Sequence, residues 1–300
     1  MSGSTLIQPK PRLTELSPHI GAEVEGLDVS QPLDDATVAW IADSLATHAV
    51  LVLRGQKLDA AQLGAFGRRF GVPKPHLLEG YQHDDFPEVS MVTNVARDGT
   101  IDPFGVKRAT TWHSDETYKQ TIPRLAMLHG LEVPADGGGT LFADMRAAFD
   151  ALPAATRTRL RGMTGLHKFT AGPADARRVY ASQMTPEKLA ALKDWEHPAV
   201  VRHPGNGRDI LFVNPSHTHG FVGLGRDEGT ALIEELSEHS TQPAFVYHHR
   251  WKVGDLVIWD EVSTMHKGAG DSPPDQRRVL MRTIVHPATP YWRAVEHRAA

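Results

Sequence analysis

Six short runs of strand-forming residues set the strongest limit on what this chain can fold into: Leu125–Val133, Thr140–Ala143, Ile210–Asn214, Ala244–Trp251, Asp255–Trp259 and Arg278–His286. The last third of the sequence is mostly strand of this kind, broken by turns rich in Gly and Pro. Parallel strands need a crossover of about a dozen residues, usually a helix, and few such units fit between these runs. Strands bunched this way predict an antiparallel barrel or jelly roll decorated by helices, an α+β fold with a mainly β core.

The helical patterns lie around that core. Asp34 and Asp35 open one with Val38, Ile41, Ala42 and Leu45 on a single face, and Ala49–Gly55 follows as a buried strand stopped by glycine. Asp59 is placed to cap a second helix that runs to about Phe70 and ends at Gly71. Asp144 is placed to cap a third through Ala151, and Thr185-Pro186-Glu187 and Asp227 to about His239 mark two more. No repeat or low-complexity linker divides the 300 residues, so one domain over 1–300 is expected. About the first 15 residues read as a flexible arm, and the aperiodic segment 97–111 reads as a mobile lid over a site.

Charge and composition exclude several functions. Lys plus Arg number 32 against 36 Asp plus Glu, a formal charge of −4, which disfavours non-specific nucleic-acid binding. The absence of cysteine removes disulfides, thiolate zinc sites, cysteine-held iron–sulfur clusters and a cysteine nucleophile. No stretch approaches the roughly 20 apolar residues that span a bilayer, and no signal-peptide core opens the chain, so a cytoplasmic protein with no membrane partner is expected.

The sharpest local signal is Thr111-Trp112-His113-Ser114-Asp115. In a strand, residues i and i+2 face the same way, so His113 and Asp115 would present an imidazole and a carboxylate side by side. His266, just beyond the Asp255–Trp259 run, is the best third ligand. Two histidines and one carboxylate on one face of a metal leave positions open, which suits non-haem Fe(II) activating oxygen. The same donors also suit the zinc of a hydrolase, or a metal-binding jelly roll without catalysis. Of the 17 histidines, the pair His217 and His219 and the neighbours His248 and His249 are read as structural or surface groups.

Arg278-Val-Leu-Met-Arg282 adds two cations on one strand face, roughly 13 Å apart at ~3.3 Å per residue. An inward-facing Arg is costly unless it meets an anion, so the two positions predict two anion sockets, or else an Asp or Glu of the protein paired with each. Gly137-Gly-Gly-Thr140 would let backbone approach a ligand closely, with the Thr140 hydroxyl sharing a small carboxylate with Arg278. A zinc hydrolase leaves these arginines and Thr140 unexplained.

Together, Trp112-His113-Ser-Asp115, Gly137-Gly-Gly-Thr140, Val253-Gly-Asp-Leu-Val-Ile-Trp-Asp260 with His266, and Gln276-Arg-Arg-Val-Leu-Met-Arg282 resemble the taurine and aryloxyacetate dioxygenase (TauD/TfdA) family. The likeness runs from about Ile20 to Trp292, and Phe245–Trp259 is most like the aryloxyacetate branch. The resemblance implies a double-stranded β-helix core, Fe(II) on His113, Asp115 and His266, O2, and 2-oxoglutarate held at its distal carboxylate by Thr140 and Arg278. It also implies a small anionic organic substrate met by Arg282 and His76, hydroxylation with release of succinate and CO2, and a homodimer or homotetramer. Ala109, Glu79 and Glu261-Val262 depart from the taurine branch's polar, aromatic and Asn-Arg residues, which weighs against taurine itself.

Overall fold

The computed structural model describes residues 10–77, 79–96, 98–102, 109–169, 184–187, 192–292 and 294–297. Along the chain the elements are β1 (Arg12–Glu15), β2 (Ala22–Glu25), α1 (Asp35–His48), β3 (Val50–Leu53), α2 (Ala60–Arg68), β4 (Val72–Pro73), β5 (Val89–Thr93), β6 (Leu125–Glu132), β7 (Thr140–Asp144), α3 (Met145–Ala151) and α4 (Ala154–Arg161). Then come β8 (Thr164–His167), β9 (Trp195–Pro198), β10 (Val200–Arg202), β11 (Asp209–Leu211), β12 (Thr218–Phe221), α5 (Arg226–Ser240), β13 (Val246–His249), β14 (Leu256–Asp260), β15 (Thr264–Gly268), β16 (Val279–His286) and β17 (Val295–Glu296).

This is a mixed α and β fold, mostly sheet. An eight-stranded sheet runs β1-β2-β3-β14-β6-β16-β4, with β5 also on β16, and a three-stranded sheet runs β13-β7-β15. Pairing is antiparallel except between β2 and β3. Residue parity explains how the large sheet is covered on both faces. Leu51, Leu53, Leu125, Met127, Leu256, Ile258, Met281 and Val285 join the core formed with Ile41, Leu45, Leu63 and Phe66 of α1 and α2. Their alternates, Val50, Val52, Ala126, Leu128, Val257, Trp259, Leu280 and Ile284, pack on the other side with Phe142 of β7 and Trp251. The short sheet therefore lies over the large one, and the metal-ligand candidates sit where the two meet. α3, α4 and α5 cover a separate apolar cluster with β10–β12.

The predicted helix starts hold at α1, α2 and α3, capped by Asp34, Asp59 and Asp144. Asp59 and Gln62 form a full capping box, so Asp59→Ala removes an acceptor from an orphan helix N–H. Urea unfolding should show a loss of about 1 kcal/mol, and an unchanged midpoint would refute the cap's contribution.

Two expectations change, and two others fall on residues outside those described. Within the stretch expected to be an arm, Arg12–Glu15 is β1 and pairs antiparallel with Ala22–Glu25; residues 1–9 lie outside those described. Part of the lid segment, residue 97 and 103–108, lies outside the described residues, as does the helix begun at Pro186 from residue 188 to 191. Ala244–Trp251 is not one strand: Pro243–Phe245 is a 3-10 turn and only Val246–His249 pairs with β7. Among the described residues no helix is long and apolar enough to cross a membrane.

Candidate metal centre and co-substrate site

His266 is a β15 residue, and His113 faces it through a single two-way backbone bridge, His113 N–H to His266 O at 3.0 Å and the reverse at 2.7 Å. Their ring centroids stand 4.3 Å apart. The side-by-side strand geometry expected for His113 and Asp115 is corrected here: only His113 bridges, and Asp115 starts a turn. The carboxylate is brought back to the imidazoles by that turn instead. Glu116, next in sequence, takes a left-handed φ of 57°. The turn is held by Ser114 Oγ donating to Thr264 O at 2.6 Å and by Asp115 N–H donating to Glu261 Oε2 at 2.9 Å.

The result is one cluster in which ligand atoms of His113, Asp115 and His266 all lie within 4.8 Å of one another. The His113 Nδ1–H donates to Thr111 O at 2.8 Å, which leaves the Nε2 lone pair facing Asp115 Oδ1 at 3.7 Å. Burial, with His113 beside it, pushes His266 down to about 3, so its imidazole stays neutral and able to donate to a metal. Burial would raise the Asp115 carboxyl, but Arg282 and then His266 and His113 outweigh it and hold the group far below the usual carboxylate range. A buried His266 Nδ1 has no hydrogen-bond partner among the described residues. Two imidazoles and one carboxylate gathered in this way fit a divalent transition metal.

A cavity of about 140 Å³ opens from the cluster and is lined by residues from both sheets. At one end stand Gly138, Gly139, Thr140 and Arg278; nearer the histidines are Arg282 and His76. Arg278 Nε donates to Gly138 O at 2.8 Å, and an Nη reaches Thr140 Oγ1 at 3.4 Å. Among the described residues no carboxylate stands at salt-bridge distance from Arg278, and burial, partly opposed by Asp271, lowers it to about 10. Trp251 Nε1 donates to Thr140 Oγ1 at 3.0 Å, which leaves the hydroxyl proton free to donate to a ligand oxygen. A Cβ at Gly139 would collide with the His248 ring as it stands, and Asp271 Oδ1 accepts from Gly139 N–H at 3.1 Å.

Arg282 is less independent than its strand position suggested. Its Nη1 lies 3.4 Å from Asp115 Oδ2 and its Nε 3.4 Å from Ser90 Oγ, so it leans on the carboxylate while still bordering the cavity. His76 lines the same cavity and packs edge-on against Tyr81 at 5.4 Å. Arg277 points away to Glu132, as its parity predicts.

Sequence reasoning gave Glu261, Trp251 and Asp271 no role at the site; only the fold brings them there. His217, read as structural, lies beside the centre, between Tyr118 and Phe169, where burial and then the nearby His113 push it down to about 3. The reading of His219 and His249 stands: they pair with Asp194 and Asp255.

Residues 12–284 match the family described as "Taurine catabolism dioxygenase TauD, TfdA family". The chain belongs to the TauD/TfdA family. Among its relatives in that family, the alpha-ketoglutarate-dependent 2,4-dichlorophenoxyacetate dioxygenase of Cupriavidus pinatubonensis is 36% identical over 84% of this chain and 90% of its own length. Pentalenolactone F synthase of Streptomyces arenae is 33% identical over 92% and 95%. Among solved structures, AAD-2 in complex with Mn(II) and N-oxalylglycine superposes with a TM-score of 0.80, at 28% identity, over 94% of this chain and 98% of that one. As a TauD/TfdA member the chain is a 2-oxoglutarate-dependent dioxygenase, and Fe(II), 2-oxoglutarate and O2 are its cofactor and co-substrates.

Proposed function

We propose that His113, Asp115 and His266 hold Fe(II), that Thr140 and Arg278 hold the distal carboxylate of 2-oxoglutarate, and that the chain hydroxylates a small anionic organic substrate whose acid group meets Arg282 and His76. The observation that carries this reading is that all of these residues but Asp115 line one cavity, with Asp115 in the ligand cluster at its edge. In the same reading the two sheets are halves of a double-stranded β-helix, within one domain over 1–300.

Bound iron supplies oxygen activation, coupled to decarboxylation of 2-oxoglutarate to succinate and CO2. The protein's residues orient and select. Thr140 donates its hydroxyl proton and Arg278 its guanidinium fork to one end of the keto acid, which fixes how far its other end reaches toward the histidines. Arg282, held by Asp115 and Ser90, offers its remaining N–H groups to the substrate's acid. Tyr81, Met91, Val92 and Leu128 supply an apolar wall. No Asp or Glu lines the cavity among the described residues, so an ammonium group would find no counter-ion there. That favours an aryloxyalkanoate, an alkyl sulfonate or a sulfate ester over a zwitterion such as taurine. Hydroxylation of the carbon bonded to an ether oxygen, a sulfonate sulfur or a sulfate-ester oxygen makes an unstable product, which collapses to a carbonyl compound as the C–O or C–S bond breaks and the alcohol or phenol, sulfite or sulfate leaves.

The test is succinate formation by the anaerobically reconstituted enzyme with O2, 2-oxoglutarate and a panel of 2,4-dichlorophenoxyacetate, an alkyl sulfate, an alkyl sulfonate and taurine. At least one apolar-bodied anion should raise succinate well above the substrate-free rate, and Arg282→Ala should lower kcat/KM for it at least ~10-fold, the scale of one lost charged hydrogen bond, while the slow substrate-free decarboxylation persists. A panel in which no anion raises succinate would sink the substrate assignment.

A further inference from the structure

The turn that delivers Asp115 is tied to β16 by a bond that the reaction chemistry does not call for. Glu116 and His286 are both buried, at 6% and 1% exposure. The His286 Nε2–H donates to Glu116 Oε2 at 2.8 Å, and Lys119 Nζ donates to the other oxygen at 2.6 Å. His286 is the last residue of β16 and shares its parity, and so its sheet face, with Arg278 and Arg282. One face of one strand therefore meets the site three times: at the Gly138–Thr140 turn, at the Asp115 carboxylate, and at Glu116. Steps of four residues separate the three positions, roughly 13 Å each at ~3.3 Å per residue.

Glu116 holds a left-handed φ of 57°, a conformation that costs a non-glycine residue free energy and persists only where its surroundings enforce it. The side-chain contacts of Glu116 add to the bonds of its neighbours in enforcing it. Beside them, Asp115 is fastened by its backbone bond to Glu261, by its neighbour Ser114 and by the long contact of its carboxylate with Arg282. We propose that Glu116 and His286 are positioning residues: their buried hydrogen bond locks the Asp115 turn onto β16, so that the carboxylate ligand is registered against the strand that carries both arginines. The proposal rests on the metal reading of His113, Asp115 and His266, and concerns how that ligand set is pre-formed.

The test is Mn(II) affinity of the metal-free chain by calorimetry, beside its thermal melting. Glu116→Met and His286→Leu fill the space without the bond, and the double variant removes both buried partners together, leaving only the part-exposed Lys119 to turn to solvent. His286→Gln and Glu116→Gln keep a donor or an acceptor in place. Mn(II) should bind at least ~10-fold more weakly to each apolar single variant and no more weakly still to the double, as expected of two residues acting through one bond. The Gln variants should stay within about threefold of the parent by the same reasoning. A folded double variant that binds Mn(II) like the parent overturns the proposal. So do Gln variants as weak as the apolar ones, or a double variant that does not fold, since the pair would then serve the fold at large. A parent chain that binds no Mn(II) would instead remove the metal reading on which the proposal stands.

Discussion

Asp115→Ala and His266→Ala should each cut succinate formation by at least ~10³-fold, because loss of a group that merely orients a metal ligand already costs about 10–100-fold. The two variants fail for different physical reasons, and the difference is measurable. His266 is buried and held neutral, so its removal takes away a donor without changing the charge around Arg282. Asp115 is the only carboxylate at salt-bridge distance from Arg282 among the described residues. Its removal leaves that guanidinium without its anion, and a buried unpaired charge is costly. Asp115→Ala should therefore lose thermal stability in the metal-free chain, whereas His266→Ala should lose mainly metal affinity. Asp115→Asn separates the terms further, keeping the shape and one acceptor while removing the charge, and should remain inactive. Turnover by either alanine variant within tenfold of the parent, at equal iron loading, would show that the ligand set is wrong.

The sequence made legible whatever depends on local pattern. Asp34, Asp59 and Asp144 announce helix starts because a capping side chain acts within three residues of itself. Arg278 and Arg282 could be placed on one face of β16 because strand parity is fixed by backbone geometry, and Arg277 went the other way for the same reason. His113, Asp115 and His266 were found as a set, yet the assumed cause was half wrong. The strand rule holds for His113 alone, and Asp115 returns to the site through a turn whose strain is held by side chains far along the chain. That support was illegible because it is non-local: Glu261 lies 146 residues from Asp115 and His286 lies 170 from Glu116. A buried Glu or His reads in sequence as any other polar residue, and only the β14, β15 and β16 pairings decide which turn it meets. The same holds for Trp251, whose indole sets the direction of the Thr140 hydroxyl across 111 residues.

Arg278→Leu should raise the half-saturating concentration of 2-oxoglutarate on the order of 10²-fold or more, since truncating one partner of a buried charged hydrogen-bonded pair costs about 2–5 kcal/mol. The cation stands in the fold before the keto acid arrives, partly buried, lowered to about 10, with Asp271 as the nearby charge that opposes the shift. Its fork is already partly used, by Gly138 O and Thr140 Oγ1, and these bonds aim the remaining N–H groups into the cavity. A carboxylate entering there gains a two-pronged partner and returns to Arg278 the charge compensation that burial removed. Arg278→Lys keeps the charge and loses the fork, so it should fall between leucine and the parent, about 10-fold weaker for the keto acid. Both variants should leave Mn(II) affinity nearly untouched, because Arg278 has no contact with His113, Asp115 or His266 and bears on the far end of the cavity. The split between an altered 2-oxoglutarate requirement and an unaltered metal requirement is what identifies the socket. Unchanged 2-oxoglutarate saturation in Arg278→Leu would mean that the anion is held elsewhere, and equal losses of both affinities would mean that Arg278 braces the fold rather than receiving the co-substrate.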